Sequence, residues 1–146
     1  MNSTLVSSWQ FWAVLSAVFA ALTAIFAKAG VADVPADLAT FIRTVIILAL
    51  LGLILLASGE WRMPGGISGR TYLFLLLSGL ATGASWLCYF RALKIGEAAK
   101  VAPIDKLSVV LVAIFGVMFL GEKLSLLAWL GVGLVGTGAV VIAFAG

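Results

Sequence analysis

The sequence predicts an all-α membrane protein with five transmembrane helices, and three observations lead to this fold class. Hydrophobic residues make up 64% of the 146-residue chain and charged residues only 10%, whereas soluble domains average about 45–50% and about 25%. Five apolar stretches each approach or exceed the length of about 20 residues that a spanning helix requires. Glycine, proline and most of the charges separate these stretches. We therefore expect a single transmembrane domain over residues 1–146.

Each expected helix is defined by an apolar stretch and by the residues that end it. The first stretch is uncharged until Lys28 closes it, and a segment rich in glycine, 59–69, follows the second. The third stretch is uncharged. Pro103 falls in the first turn of the fourth helix, where proline is tolerated, and a tight loop over 121–123 leads into the uncharged fifth stretch. The expected helices cover approximately residues 9–27, 35–58, 71–90, 101–120 and 124–145.

Composition excludes several classes of function. The chain has no histidine and one cysteine, Cys88, so the commonest proton shuttle and metal ligand is missing. No nucleophile–base pair or cluster of metal ligands can be assembled from the sequence, and we expect neither an enzyme nor a bound metal or cofactor. The net charge of +3 is spread over short loops without a basic run, so we expect no nucleic-acid partner.

Three charged residues inside the apolar stretches are the strongest indication of a functional site. Arg43, Asp105 and Lys106 lie where a charge costs roughly 2.5–3.5 kcal/mol, so they should face protein or water. Arg43 lies eight residues beyond Pro35, which is roughly 12 Å along a helix. Asp105 lies four residues beyond Val101, which is roughly 6 Å. Both fall in the same half of the membrane, and we expect an Arg43–Asp105 ion pair.

Two interpretations of these charges stay open. In the first, Arg43 and Asp105 form a structural pair, and Lys106, about 100° away around the helix, snorkels to the interface. In the second, Arg43 and Lys106 leave one net positive charge facing water and recognise an anionic or carboxylate-bearing solute. Ser108 shares a helical face with Asp105 and would extend such a site.

A row of hydroxyl groups follows one face of the third helix. Ser78, Thr82, Ser85 and Tyr89 are spaced at i, i+4, i+7 and i+11, which places them on the same side. Trp86 belongs to a neighbouring row that includes two glycines. The hydroxyl row either lines a polar cavity or, as is common, bonds back to the carbonyls of its own helix.

The loop charges barely favour one orientation in the membrane. Five helices place the two termini on opposite sides, and Lys and Arg residues in the loops normally set the orientation. Three of these residues fall on the N-terminal side and four on the other, so the chain either inserts both ways or is oriented by factors that the sequence hides. They are Arg62, Arg70 and Lys123 on the N-terminal side and Lys28, Arg91, Lys94 and Lys100 on the other.

Two phrases resemble a known family. Residues 89–103, YFRALKIGEAAKVAP, and 119–125, FLGEKLS, are similar to the EamA domain of the drug/metabolite transporter superfamily. Five spans correspond to one whole EamA domain, so the resemblance covers nearly the entire chain. Better-known members fuse two such domains with inverted symmetry. The resemblance therefore implies an antiparallel homodimer of ten helices, which the balanced loop charges also favour.

The resemblance and the buried charges together predict a multi-pass protein of the cell inner membrane that contacts lipid and a small-molecule solute. We expect a secondary transporter that moves small polar metabolites, amino acids or related carboxylates, by alternating access. Arg43 and Lys106 would bind the carboxylate and Asp105 would orient them. The alternatives are a flippase for a lipid-linked headgroup and a structural or accessory protein without transport activity. The residues expected to shape the cavity are Ser78, Thr82, Ser85, Trp86, Tyr89 and Ser108.

Overall fold

The five predicted transmembrane helices are confirmed in a computed structural model that describes residues 8–61 and 66–145. Within these residues the secondary structure is entirely helical. The first span ends later than expected, the third begins earlier and ends later, the fourth begins earlier and is divided into two helices, and the fifth is slightly shorter. In chain order the helices are α1 (Trp9–Gly30), α2 (Ala36–Ser58), α3 (Gly69–Ile95), α4 (Ala98–Asp105), α5 (Ser108–Leu120) and α6 (Leu126–Phe144).

The third span is longer than its uncharged stretch. The sequence predicts a helix ending at Phe90, but α3 continues to Ile95 and carries Arg91 and Lys94 in its last turns. The α1 helix likewise continues past Lys28 to Gly30. Long basic side chains do not end a helix at a membrane boundary, because their heads reach polar groups while their stems stay in apolar surroundings.

The fourth span begins early and is interrupted by a turn. Its first helix, α4, starts at Ala98, so Pro103 lies inside the helix and not in its first turn as expected. A proline there has no N–H to donate to the preceding turn. Directly after Asp105 the backbone tightens, with the Leu107 N–H donating to the Ile104 carbonyl at 3.0 Å. Such i→i+3 bonds are those of a 3₁₀ turn, and this turn separates α4 from α5.

The described residues form two compact units, named here for their place in the sequence. The terminal unit contains the residues up to Phe26 and from Ile95 onward, and the central unit is Ala27–Lys94. The expected single domain stays a prediction. In the terminal unit α6 packs against α4 and α5, and Gly136 permits a close approach, since a Cβ there would lie 3.1 Å from Val110 Cγ2.

The central unit is packed at one end of its two long helices. Large apolar side chains elsewhere on α2 and α3 are exposed, for example Leu48 at 71% and Phe74 at 58%. In a bilayer such surfaces face hydrocarbon or other helices, so their exposure is expected for a membrane protein. The buried residues of the packed end include Val31, Ala36, Thr40, Phe90 and Leu93.

Candidate functional site

Arg43 lies against an aromatic wall in the central unit. It is seven residues beyond Ala36, the first residue of α2, which corresponds to about 10 Å along the helix. Its Cζ lies 4.2 Å from the centroid of the Trp86 ring and 5.5 Å from that of Phe90. Both distances are within the range of a cation–π interaction. Arg43 and Trp86 are half-buried, and Phe90 is buried.

The antiparallel pairing of α2 with α3 places these residues together. Contacts between the two helices and the segment before α2 follow one register: Val34 meets Lys94, Asp37 meets Arg91 and Arg43 meets Trp86. Residue numbers rise along one partner as they fall along the other. Trp86 and Phe90 lie four residues apart and therefore on one face of α3, and at Arg43 that face is turned toward α2.

The Arg43 guanidinium forms neither an ion pair within 4.0 Å nor a hydrogen bond to a protein acceptor within the part of the chain that the structure describes. A guanidinium stacked on a ring uses its plane for that contact, and its N–H groups point outward along the edge. Those donors suit a planar, bidentate acceptor such as a carboxylate. Arg43 is therefore a half-buried charge whose described contacts are to aromatic rings.

An ion pair that the sequence analysis missed lies next to this residue. The Arg91 Nε donates to Asp37 Oδ1 at 3.0 Å and Nη2 donates to Oδ2 at 2.9 Å. This is the bidentate geometry that guanidinium and carboxylate favour. The sequence held a signal for it: Asp37 lies in the first turn of one expected span and Arg91 directly follows the end of another, on the same side of the membrane.

Two lysines bind backbone carbonyls at the same end of the central unit. Lys28 Nζ donates to the Leu93 carbonyl at 2.7 Å, and Lys94 Nζ donates to the Val34 carbonyl at 2.5 Å. The Leu93 carbonyl belongs to the last turn of α3, where carbonyls lack helical partners and cations are favoured. The segment that joins α1 to α2 is therefore held to the end of α3.

The terminal unit contains Asp105 and Lys106, which pair with each other. Lys106 Nζ lies 3.1 Å from Asp105 Oδ2, at the junction of α4 and the turn that precedes α5. The expected Arg43–Asp105 ion pair stays a prediction, because the two residues belong to different units. The turn also interrupts the helix before Ser108, which is exposed, so the face shared by Asp105 and Ser108 stays a prediction too.

The hydroxyl row on α3 is partly used within its own helix. Thr82 Oγ1 donates to the Ser78 carbonyl at 2.9 Å, which is the back-bonding alternative for this residue. Ser78 and Ser85 are exposed, and Tyr89 is half-buried. The row lies beside the face that carries Trp86, so it borders the Arg43 contact. A cavity lined by the whole row stays a prediction.

Beyond Trp86 the same face of α3 is open. Gly83 and Gly79 continue the row of Trp86 and Phe90, and a Cβ built on either glycine has no atom of a neighbouring element within 4 Å. Because α2 and α3 are antiparallel, this open stretch lies on the far side of Arg43 from the packed end. Arg43 therefore lies at the boundary between a packed and an open part of the helix pair.

An apolar groove runs along α5 and α6 in the terminal unit. Its volume is about 440 Å³, and Leu107, from the turn before α5, contributes to it. The groove is lined by Leu107, Val110, Val132, Gly133, Gly136, Thr137, Val140 and Val141.

Within residues 8–61 and 66–145 there is no cluster of three or more His, Cys, Asp or Glu side chains that could hold a metal ion.

Comparisons with known proteins agree on one family. The model of the EamA-like transporter family matches residues 7–144. A protein of Sinorhizobium sp. described as an uncharacterized transporter in the cobO 3' region is 66% identical over 136 residues. That match covers 93% of this chain and 96% of the relative. No solved structure matches the chain.

Proposed function

The chain belongs to the EamA-like transporter family, and we propose that it is a secondary transporter for small polar metabolites that carry a carboxylate. Amino acids and related acids are the preferred class. Five apolar helices and the family make the chain a multi-pass membrane protein. In the proposal it lies in the cytoplasmic (inner) membrane, works by alternating access and performs no enzymatic step.

The single observation that carries the proposal is the stacked Arg43. Its Cζ lies 4.2 Å from the Trp86 ring centroid, and its edge meets no protein acceptor among the described residues. A charge at this depth is costly unless it is paired or hydrated. A cavity water would hydrate it in the empty state, and a solute carboxylate would pair with it in the loaded state. This exchange gives the site a preference for anionic groups.

The remaining expected residues have supporting roles in this proposal. Lys106 would supply a second positive charge for the carboxylate, and Asp105, 3.1 Å away, would orient it. Ser78, Ser85 and Tyr89 offer hydroxyls beside the aromatic face of α3, and Ser108 extends the polar surface near Asp105.

The proposal includes a second copy of the chain in the opposite orientation. The five helices of this chain correspond to one of the two domains that fused members of the resembled superfamily contain. Inverted repeats around a midplane site are a recurrent transporter design. The nearly balanced Lys and Arg residues of the loops permit both orientations. A topology reporter fused to the C-terminus should be detected on both faces of the membrane. Detection on one face alone would remove the antiparallel homodimer.

A second candidate function is flipping of a lipid-linked headgroup. The observation that favours it is the apolar groove of about 440 Å³ along α5 and α6, which offers an apolar surface to a lipid chain. In that case the groove would take the acyl chain of the lipid. A water-soluble amino acid would then be a poor substrate.

Uptake into proteoliposomes tests the proposal. A mixture of radiolabelled amino acids should accumulate with the unsubstituted protein, and Arg43→Ala should reduce the initial rate to background because the carboxylate loses its bidentate partner. Arg70→Ala is the matched control, since the Arg70 Cζ lies 5.7 Å from the Phe74 ring but at the start of α3. Equal uptake by the two variants would rule out the assigned role of Arg43.

The structural alternative for Arg43 makes a different prediction. If the charge only fixes the helix register with Asp105, then Arg43→Met together with Asp105→Leu should fold, and either change alone should disrupt folding. Under the transport proposal the double variant folds but transports nothing.

A further inference from the structure

The buried side chains of the central unit mark one end of the α2–α3 pair as closed. The buried residues among those described for this unit lie in the last turn of α1, the segment that follows it, the first turns of α2, or the last turns of α3. We call this region the closed end. It consists of Ala27, Val31, Ala36, Thr40, Phe90 and Leu93.

Polar bonds fasten the closed end on its outer side. The bidentate Asp37–Arg91 ion pair joins α2 directly to α3. Lys94 and Lys28 add bonds to the Val34 and Leu93 carbonyls, which hold the connecting segment in place. Of these three polar contacts, only the Asp37–Arg91 ion pair joins two side chains of opposite charge. Asp37 belongs to α2 and Arg91 to α3, the two long helices of the unit.

The ion pair lies between Arg43 and the membrane face at which α2 begins. Asp37 precedes Arg43 by six residues on α2, which is about 9 Å along the helix. Thr40 lies between them and is only 5% exposed. On the other side of Arg43, a Cβ built on Gly83 or Gly79 would contact no neighbouring atom within 4 Å. Arg43 therefore lies between the closed end and a more loosely packed stretch of α3.

We propose that the Asp37–Arg91 ion pair is a gate that holds shut the path from Arg43 to the face where α2 begins. The purpose of this gate rests on the proposed transport function, whereas its opening can be measured without any solute. Breaking the pair lets the ends of α2 and α3 separate and exposes Thr40 and Phe90 to water. Closing it restores the buried contacts.

The exposure of the pair is suited to a gate. The Arg91 and Asp37 side chains are 63% and 59% exposed, so water competes for both groups and the contact is weak. A deeply buried pair would resist separation, because each isolated charge would be left desolvated. A weak ion pair beside the small apolar cluster of the closed end permits opening on the time scale of transport, and the closed state remains the more populated one.

Cysteine reactivity at Thr40 tests the gate. The reporter is Thr40→Cys in a Cys88→Ser background, reconstituted in lipid nanodiscs so that reagent reaches both faces. A short polyethylene-glycol maleimide is uncharged, so changing nearby charges does not alter its local concentration. A buried thiol reacts only when the end opens, and its rate follows the open population. Asp37→Asn and Arg91→Gln should each raise the rate about 1.5- to 5-fold, the range that an exposed ion pair supports.

Two further variants distinguish opening of the gate from a general loss of helix packing. The charge swap, Asp37→Arg with Arg91→Asp, should return the rate to within about twofold of the starting value because the pair is rebuilt. Glu97→Gln is the matched control, since it breaks another exposed pair, with Lys100 at 3.7 Å, and should leave the rate unchanged. If Asp37→Asn fails to fold, Arg91→Gln and the swap still give the comparison.

Each outcome decides the proposal. Equal rates with and without the ion pair would overturn it, as would a Thr40→Cys thiol that reacts as fast before unfolding as it does in the denatured protein. The test is independent of the transport assay. If breaking the ion pair raises the labelling rate but Arg43→Ala leaves uptake unchanged, the gate stands and only the proposed function is refuted. If uptake depends on Arg43 but the labelling rate does not depend on the ion pair, only the gate is refuted.

Discussion

Replacing Trp86 by leucine should weaken solute recognition without removing the Arg43 charge. The substitution keeps an apolar side chain beside the guanidinium but removes the π face that lies 4.2 Å from its Cζ. Cation–π contacts contribute about 0.5–1 kcal/mol when exposed and about 2 kcal/mol when desolvated. Arg43 and Trp86 are half-buried, so we take about 1–2 kcal/mol, which corresponds to roughly a 5- to 30-fold change.

The assay is the initial rate of amino-acid uptake at low solute concentration, where the rate reports kcat/KM. Without the indole the guanidinium samples other rotamers, so the loss should appear mainly as a raised KM. Trp86→Phe should lose less, because it retains a smaller ring. Trp129→Leu is the matched control: this tryptophan is 37% exposed and belongs to α6, and its loss should change uptake less than twofold.

A double-mutant cycle shows whether the effect passes through Arg43. In an Arg43→Lys background the cation is retained but the flat stacking of the guanidinium is lost, so Trp86→Leu should cost less there than in the unsubstituted protein. Independent sites would give additive losses. An equal loss in both backgrounds would refute the reasoning that Trp86 acts by holding Arg43.

Two further predictions concern the terminal unit and are checked by thermal unfolding in detergent, followed by circular dichroism. Ser125 Oγ accepts a hydrogen bond from the Ala128 N–H at 3.2 Å, so Ser125→Ala should destabilise α6 by about 0.5–2 kcal/mol while Ser125→Asp retains the cap; equal melting temperatures for the two would contradict this. Gly136→Ala should melt below Gly133→Ala, because the new methyl meets Val110 at 3.1 Å in the first case and open space in the second, and the reverse order would contradict the packing described for α5 and α6.

The five spans could be predicted because hydropathy is a local property of the chain. Each apolar stretch exceeds or approaches the bilayer thickness in its own right, whatever its neighbours do. The interruption at Lys106 and Leu107 was not predictable in the same way. The break follows Pro103, and whether that proline lies in the first turn or inside α4 depends on where the helix begins, a boundary that composition places only within a few residues.

The partners of the charged residues were harder to predict than their existence. Arg43 could be singled out by its depth, and an acidic partner was the simplest expectation. The structure places an aromatic face there, and Trp86 was expected only to border a cavity. Asp37 falls inside the second expected span and Arg91 among the loop charges, and hydropathy gives neither of them a partner. Their pairing needs the register of α2 against α3, which no local pattern contains.

The most direct measurement of the central claim compares an amino acid with its decarboxylated amine in the same proteoliposomes. If the edge of the stacked Arg43 binds a carboxylate, the unsubstituted protein should take up phenylalanine and leave phenethylamine at background, and Arg43→Ala should abolish phenylalanine uptake while Arg70→Ala retains it. Equal uptake of the acid and the amine, or uptake that survives Arg43→Ala, would contradict the assignment of Arg43 as the group that recognises the solute.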